Sequence, residues 1–412
     1  MKRLVITNAN LYTPVGHAAR KGAEMGEILH IEKAGIVIED GVISWVGPDS
    51  ELPQQDDSAD EEVYMDAIGR AVIPGFVDSH THLVFGGYRP DEFGWRLKGG
   101  TYMSIMERGG GIQSTVNATR EASEEELREK AEWFLDEMSQ MGVTTVEAKS
   151  GYGLDTETEM RMLRVIDALA RDPERKVDVV PTFLGAHAVP KEYAGRTAEY
   201  VDLMIREMLP QAKDMAEFCD IFTEKNVFEI EDSRRYLQAA KDMGYKLKLH
   251  ADEIVQLGGA ELAAEMGAVS ADHLLHVSDE GIRRMAQAGT VATLLPLTAF
   301  ALKEPYAPAR KFIDAGCAVA LATDLNPGSC FSGSIPLTIA LACIYMGMSV
   351  EETLTALTLN GAAAVDRADR IGSIEAGKQA DLLILHFGTL SCLPYYVGMN
   401  TVDAVIKDGE VV

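Results

Sequence analysis

Two histidines one residue apart end an apolar segment early in the chain, VIPGFVDSHTH at residues 72–82. Residues two apart on a strand point to the same face, so the side chains of His80 and His82 project together. Two neutral imidazoles can chelate a divalent metal, but a catalytic zinc ion needs further protein ligands and one position open for water. The pair therefore predicts a metal site that other segments complete.

Further polar side chains stand at the ends of later apolar segments. These segments end in Lys149, His187, Glu224, His250, His273 and Asp324. His250 and Asp324 are the natural completions of the histidine pair, and they give a site of three histidines and one carboxylate. Such a set suits zinc, iron(II) or manganese depending on supply. We expect one divalent metal per subunit, Zn²⁺ or Fe²⁺.

Lys149 and Glu224 leave two interpretations open. Either residue could support a second metal, through a carbamylated lysine or a bridging carboxylate. Alternatively, Lys149 forms an ion pair with an acid such as Glu147, which favours a single metal. His276 stands just before the helix cap Ser278 and is more typical of a loop or capping histidine than of a ligand.

The elements that must position these residues are short apolar strands alternating with amphipathic helices, the pattern of βα units and a parallel sheet. We count eight strands from VIPGFVDSHTH to AVALATDLNPG, and eight is the number that closes a (β/α)8 barrel of the α/β class. Helices are predicted after Ser123, which forms a capping box with Glu126, and after a cap at Thr156. In such barrels the C-terminal strand ends carry the chemistry.

Both ends of the chain differ from this middle part. Residues 1–73 and 366–412 are β-like, and Asp40-Gly41 between alternating apolar residues is a strong hairpin signal. We expect the two ends to join in space as one small β-sheet or β-sandwich domain. Residues 74–365 would form the barrel.

Charge and cysteine content exclude several classes of protein. The 64 acidic residues outnumber the 38 basic ones and give a net charge of −26. That charge repels phosphate backbones and anionic lipids, so we expect neither nucleic acid nor membrane partners. The five cysteines include no CxxC pair, which argues against a disulfide framework. The N-terminus is typical of a strand rather than a signal peptide, and we expect a cytoplasmic protein.

The chain resembles the amidohydrolase superfamily over essentially its full length, with the motifs DGVISWVG, VIPGFVDSHTH, ATDLNPG and GSIEAGKQADLLIL in the family's order. The resemblance implies a metal-dependent barrel with a small β domain and a homodimer. Within the superfamily, the segments VFGGYRPDEF, EAKSGYGLDTETE, FLGAHAVP, LHADE, SADHLLH and TDLNPGSC are similar to enzymes of L-histidine degradation. Those enzymes carry out its third step, hydrolysis of the ring amide of 4-imidazolone-5-propanoate to N-formimidoyl-L-glutamate.

Several residues would hold such a substrate. Arg89, in the loop after the histidine pair, offers a planar guanidinium fork that fits a carboxylate, and a surface pairing with Asp91 or Glu92 is the alternative. Tyr152 and Gly328 could equally be turn residues in SGYG and NPGS. The resemblance implies substrate contacts from Tyr152, His187, Asn326, Gly328 and Ser329.

The implied chemistry is attack of a metal-bound water on the ring carbonyl. His273 would stabilise or protonate the tetrahedral oxyanion, and Glu253 and Asp324 are the candidate proton carriers. Which of these three residues takes the first proton stays open. The alternative for Glu253 is a structural acid in the first turn of the next helix.

Other functions fit parts of this pattern. A deaminase of guanine- or cytosine-like rings uses a similar ligand set, but its substrate would offer no carboxylate to Arg89. A cyclic amidohydrolase acting on another small heterocycle is a further alternative. A non-catalytic relative, serving as an assembly or binding protein, would be expected to lose ligands, and all four are present. We also expect the glycine-rich segment ERGGGIQ, residues 107–113, to cover bound substrate.

Overall fold

The structure is a computed structural model that describes residues 2–53, 61–99 and 110–412. Residues 107–109, in the glycine-rich segment expected to cover substrate, lie outside the described residues. Two eight-stranded sheets organise the described chain. No helix among the described residues has the length and apolar character that a membrane crossing requires.

The first sheet is built from both ends of the chain. Strand β5 (Ala71–Pro74) pairs in parallel with β1 (Lys2–Thr13) and antiparallel with β14 (Leu382–Leu385), and this pairing joins the two ends. Asp40 and Gly41 have φ of 45° and 83° at the predicted hairpin between β2 and β3. The boundaries 1–73 with 366–412 and 74–365 stay a prediction. The strands of this sheet are β1 Lys2–Thr13, β2 Leu29–Glu39, β3 Val42–Pro48, β4 Glu61–Asp66, β5 Ala71–Pro74, β14 Leu382–Leu385, β15 Val402–Lys407 and β16 Glu410–Val411.

The second sheet contains the eight strands predicted for the barrel, parallel and in sequence order. These strands are β6 Phe76–Thr81, β7 Val143–Lys149, β8 Asp178–Ala186, β9 Phe218–Thr223, β10 Lys246–Ala251, β11 Ser270–His273, β12 Val291–Leu294 and β13 Val319–Leu321. The sheet closes because the N–H of His82 donates to the carbonyl of Leu325 (2.8 Å), and that of Asp324 to the carbonyl of His80 (3.0 Å). The predicted (β/α)8 barrel with a small β-sheet unit is confirmed.

Helices connect the barrel strands and cover their outer face. The main hydrophobic core lies between strands and helices, for example at Val146, Leu163 and Phe183, and a second core lies against the first sheet. The helices are α1 Pro90–Leu97, α2 Ile112–Glu121, α3 Glu124–Gln140, α4 Thr156–Ala170, α5 Thr197–Leu203, α6 Leu209–Ala212, α7 Ile230–Asp242, α8 Gly259–Met266, α9 Asp279–Ala288, α10 Pro296–Leu302, α11 Ala309–Asp314, α12 Ile335–Tyr345, α13 Val350–Leu357, α14 Leu359–Ala364 and α15 Cys392–Tyr395. A π-helical segment, Met204–Met208, joins α5 to α6, and 3₁₀ turns occupy Gly22–Gly26, Asp49–Glu51 and Lys191–Tyr193.

Two helix starts test the predicted caps. The capping box is confirmed, since the N–H of Glu126 donates to Ser123 Oγ (3.1 Å) and the N–H of Ser123 to the Glu126 carboxylate (2.8 Å). The predicted cap at Thr156 is wrong by one residue. Asp155 keeps an extended backbone, and its carboxylate accepts the N–H of Thr158 (2.8 Å), so Thr156 is already the first helical residue.

Candidate metal centre and active site

The four predicted metal ligands converge at the C-terminal mouth of the barrel. His80 lies at the end of β6 and His82 directly follows that strand, while His250 comes from β10 and Asp324 from the segment after β13. The Nε2 atoms of His82 and His250 are 3.3 Å apart. An Asp324 carboxylate oxygen lies 3.5 Å from Nε2 of both His80 and His82. All four side chains are buried.

The donor atoms are spaced as ligands of one small ion would be. Two nitrogens that each lie about 2.0–2.1 Å from one tetrahedral zinc ion are about 3.3–3.4 Å apart, and the His82 and His250 nitrogens are 3.3 Å apart. The Nε2 of His80 is buried without a hydrogen-bond partner in the described part of the chain. A buried polar atom left this way costs free energy that a bound ligand removes. The residues therefore fit a single divalent ion.

Two buried carboxylates that were not predicted from the sequence orient two of the predicted ligand histidines. An Asp272 oxygen lies 2.6 Å from Nδ1 of His80, and an Asp220 oxygen lies 3.1 Å from Nδ1 of His250. Because a carboxylate accepts, Nδ1 of each neutral ring carries the proton and Nε2 is free for a metal. Each acid interrupts an otherwise apolar strand, and that is the sequence signal that could have found it.

Lys149 forms an ion pair with Glu147, which was one of the two roles considered for it from the sequence. Its Nζ lies 2.7 Å from carboxylate oxygens of Glu147 and Asp220 and 4.0 Å from Asp272, and all four side chains are fully buried. Burial alone would lower the pKa of Lys149, but these carboxylates raise it. The resulting ammonium ion has no lone pair for a metal or for carbamylation. The Glu224 carboxylate instead accepts a backbone N–H of the loop after β10 (2.9 Å).

His273 and Glu253 form a second group beside the ligands. His273 ends β11 with φ of 76°, an angle uncommon outside glycine, and its Nε2 lies 3.6 Å from a Glu253 oxygen. Burial, together with the negative charge of Asp324, raises the pKa of Glu253 to about 8. Burial lowers the pKa of His273 well below its usual range. A carboxyl group with a pKa near neutrality suits proton transfer.

Burial favours the neutral, metal-binding form of three histidines at the site, whereas the pKa shifts of His250 and Asp324 oppose the metal-binding forms of those two side chains. Burial lowers the pKa of both members of the histidine pair well below the usual range, and that of His187 to about 3. Burial also raises the pKa of Asp324 to about 6. Burial acts against a charge on His250 as well, but the Asp220 carboxylate outweighs it and raises the pKa of that ring. Neutral imidazole is the form that binds a metal.

A cleft of about 520 Å³ opens above the cluster. The Arg89 guanidinium lines this cleft and donates a hydrogen bond to the carbonyl of Pro327 (3.3 Å). It also lies 3.4 Å from the Glu92 carboxylate, so the pairing with Glu92 that was the alternative role for Arg89 is present too. Arg96 and Phe222 line the cleft too and were not predicted. The i,i+4 spacing from Glu92 places Arg96 on the same face of α1 and could have indicated it. The predicted substrate residues in the lining are Arg89, Tyr152, His187, Asn326, Gly328 and Ser329.

Residues 71–412 match the amidohydrolase family. The chain belongs to the amidohydrolase family. It is 63% identical over 410 residues to the imidazolonepropionase of Bacteroides thetaiotaomicron, and the aligned region covers 99% of this chain and 98% of that relative. It is 55% identical over 412 residues to the imidazolonepropionase of Clostridium tetani, with the same coverage.

Solved structures show that this amidohydrolase shares its fold with enzymes of low sequence identity. A triazine hydrolase from Arthobacter aurescens has a TM-score of 0.76 at 18% identity, covering all of this chain and 94% of the other. A 5-methylcytosine deaminase from Klebsiella pneumoniae has a TM-score of 0.75, also at 18% identity, covering 99% and 97%. At these identities the likeness shows the fold alone.

In this amidohydrolase, Asn326 organises the loop that follows Asp324, one of the predicted ligands. Its Oδ1 accepts the N–H groups of Gly328 (2.8 Å) and Ser329 (2.7 Å), and its Nδ2 donates to the carbonyl of Asp324 (2.7 Å). A Cβ added at Gly328 would meet the guanidinium of Arg89. Gly328 does not have a positive φ, so its backbone angle does not require glycine, and a side chain added here would displace the end of the flexible Arg89 side chain.

Proposed function

We propose that this chain hydrolyses the ring amide of 4-imidazolone-5-propanoate to N-formimidoyl-L-glutamate, a step in L-histidine degradation. The observation that carries the proposal is the similarity to proteins named imidazolonepropionase, 55–63% identical over 98–99% of this chain. The site supports it, because a cluster of metal-ligand type and a guanidinium line one cleft. A substrate with one ring amide and one carboxylate needs both.

The residues proposed to hold one divalent metal are His80, His82, His250 and Asp324. A metal bound there supplies Lewis acidity, which polarises a carbonyl and acidifies water. Of the candidate proton carriers, we propose that Glu253 takes the first proton, at a carboxylate oxygen. Its raised pKa suits that role. His273, with Nε2 3.6 Å from that carboxylate, would stabilise the oxyanion and pass a proton toward the leaving ring nitrogen.

Substrate binding is proposed to depend on Arg89, whose guanidinium would hold the propionate carboxylate in a bidentate pair. The His187 Nδ1 lies 3.0 Å from the carbonyl of Gly151. Because a carbonyl only accepts, Nδ1 carries the proton and Nε2 is free to accept a hydrogen bond. Tyr152, His187, Asn326, Gly328 and Ser329 are proposed to line the rest of the substrate site.

Metal removal and restoration test this function. We expect the purified enzyme to consume freshly made 4-imidazolone-5-propanoate, measured as loss of the imidazolone chromophore. Activity should fall at least about 10²-fold after chelation, because Lewis acidity is lost, and return with Zn²⁺ or Fe²⁺. Formimidoyl-glutamate should appear in equal amount by mass spectrometry. Bound metal without turnover of this substrate would contradict the proposed function and leave the metal centre intact.

A deaminase of guanine- or cytosine-like rings is the second candidate, because such an enzyme would use a similar set of three histidines and one aspartate. Arg89 in the cleft weighs against it, since a neutral base gives a cation no partner. Ammonia release from cytosine or guanine by the metal-loaded enzyme would decide in its favour. A purely structural relative is disfavoured because all four ligands are retained.

The metal is proposed to be zinc or iron(II). The donor set of three imidazoles and one carboxylate suits both ions, and availability in the cell decides between ions that a site binds similarly well. Elemental analysis of enzyme purified without added metal and without oxygen would identify it. A preparation containing neither ion, yet fully active, would contradict this assignment.

We also propose a homodimer in the cytoplasm. Helix α12 packs against α15, and large apolar side chains there are more than half exposed, a feature typical of interaction surfaces. They are Ile344, Tyr345, Tyr395, Val397 and Met399. Sedimentation should give twice the chain mass, and Tyr395→Glu should halve it; a monomeric wild type would disprove the dimer. The five cysteines are unpaired, which suits a reducing compartment.

A further inference from the structure

Glu159 is a buried carboxylate that takes no part in the proposed chemistry. It lies in the first turns of helix α4 and is fully buried. Nearly all buried acids in proteins are paired with a cation or with several hydrogen-bond donors. Among the described residues, no lysine or arginine forms an ion pair with Glu159, so its partners must be hydrogen-bond donors.

Those donors are three backbone N–H groups of the loop that precedes α4. One carboxylate oxygen accepts the N–H of Gly151 (3.0 Å). The other accepts the N–H groups of Gly153 (2.8 Å) and Leu154 (2.9 Å). The loop therefore wraps around one carboxyl group, with Tyr152 at its centre. Hydrogen bonds to a charged acceptor are about twice as strong as neutral ones.

This loop carries two of the proposed substrate contacts. Tyr152 is buried and lines the cleft, and the carbonyl of Gly151 accepts the proton on Nδ1 of His187. A shift of the loop would therefore move the phenol ring of Tyr152 and turn the imidazole ring of His187. Both rings contact each other, with centroids 5.1 Å apart.

The backbone of this loop is strained, so it needs stabilising contacts from outside the loop. Gly151 has φ of 116° and Leu154 has φ of 56°, the second an angle that costs a branched residue free energy. A Cβ at Gly151 would lie 2.8 Å from the carbonyl oxygen of Leu184, so the loop is pressed against the neighbouring strand β8. Strained conformations persist where surrounding bonds over-determine them, and the Glu159 carboxylate supplies three such bonds.

An ordinary helix cap does not explain these contacts. Asp155 already caps α4 by accepting the N–H of Thr158. Glu159 instead accepts hydrogen bonds from three loop amides outside the helix. We infer that Glu159 is a positioning residue, which fixes loop 150–154 so that Tyr152 and His187 face the substrate. This inference rests on the proposed function only for the substrate contacts, and not for the hydrogen bonds between Glu159 and the loop amides.

Glu159→Gln tests the role, because glutamine keeps the shape but offers one acceptor oxygen instead of two. We expect KM for imidazolonepropanoate to rise about 10-fold or more with kcat changed less than about 3-fold, as when binding common to ground and transition states is lost. Metal content should stay at the wild-type value. Hydrogen exchange by mass spectrometry should speed up in the peptide containing residues 150–154. Glu159→Asp, which keeps the carboxylate on a shorter side chain, should have a KM between that of the wild type and that of Glu159→Gln.

Glu157→Gln is the matched control, since it makes the same change in the first turn of the same helix, at an exposed side chain that pairs with Arg161 and does not contact the loop amides. It should leave KM and the exchange of residues 150–154 unchanged. Equal effects of the two substitutions would reduce Glu159 to a helix-stabilising residue and overturn the inference. Faster exchange with wild-type KM would also overturn the positioning role. A wild-type enzyme that does not turn over the substrate would defeat the proposed function, while the exchange experiment would still test the hydrogen bonds between Glu159 and the loop amides.

Discussion

Glu253→Gln should lower kcat for imidazolone hydrolysis by about 10²- to 10⁴-fold, the usual contribution of a positioned proton carrier. Glutamine has the same shape but cannot take up a proton. The Glu253 carboxylate is not among the proposed ligands, so the bound metal and KM should stay near their wild-type values. The measurement combines steady-state kinetics on the imidazolone with elemental analysis of the same preparation.

Glu304→Gln provides the control for this substitution. Glu304 lines the same cleft, yet its side chain is exposed at the mouth, so removal of its charge should change kcat less than about 3-fold. If Glu253→Gln kept wild-type kcat, the first proton would have to go to Asp324 or His273. Loss of metal in Glu253→Gln would instead make Glu253 a ligand or a support of one.

Arg89→Met should lower kcat/KM by about 10²- to 10³-fold, because truncating one partner of a buried charge pair costs about 2–5 kcal/mol. Most of the loss should lie in KM, since the carboxylate does not react. With a substrate analogue in which a methyl ester replaces the carboxylate, the wild type and the variant should have similar kcat/KM. Kinetics of both enzymes on both compounds give the coupling between guanidinium and carboxylate.

Glu92→Gln separates this role from the ion pair seen in the structure. The Glu92 carboxylate lies 3.4 Å from the Arg89 guanidinium and would compete with substrate for it. Its neutralisation should leave KM unchanged or lower it. If Arg89→Met and Glu92→Gln raised KM equally, the ion pair and not the substrate contact would be the function of Arg89.

The convergence of the four proposed ligands could be predicted from the sequence because a barrel brings the ends of strands that are distant in the chain close together in space. His80, His250 and Asp324 are far apart in the chain, yet each lies at the C-terminal end of its strand, and parallel strands bring those ends to one face. The alternation of side chains along β6 then gives the shared direction of the two imidazoles. These arguments need no side-chain packing.

The supporting residues could not be predicted in the same way, because their roles depend on which strands are neighbours. Asp220 serves both His250 and Lys149 only because β9 lies beside β10 and its carboxylate reaches across the barrel interior. The same holds for Glu159, whose partners are backbone amides in a loop. A sequence pattern tells which side chains are present. The directions in which the backbone N–H groups of a loop point depend on the conformation of that loop in the folded protein.

The closure of the barrel has a consequence for the order in which the protein is assembled on the ribosome. The strand at whose end His80 and His82 lie is the first of the barrel, and Asp324 follows the last one. Synthesis runs from the N-terminus, and domains generally fold as units. The complete ligand set therefore exists only after nearly the whole barrel has emerged. If His80, His82, His250 and Asp324 hold the ion as proposed, we expect its delivery to be a late event in the synthesis of the chain.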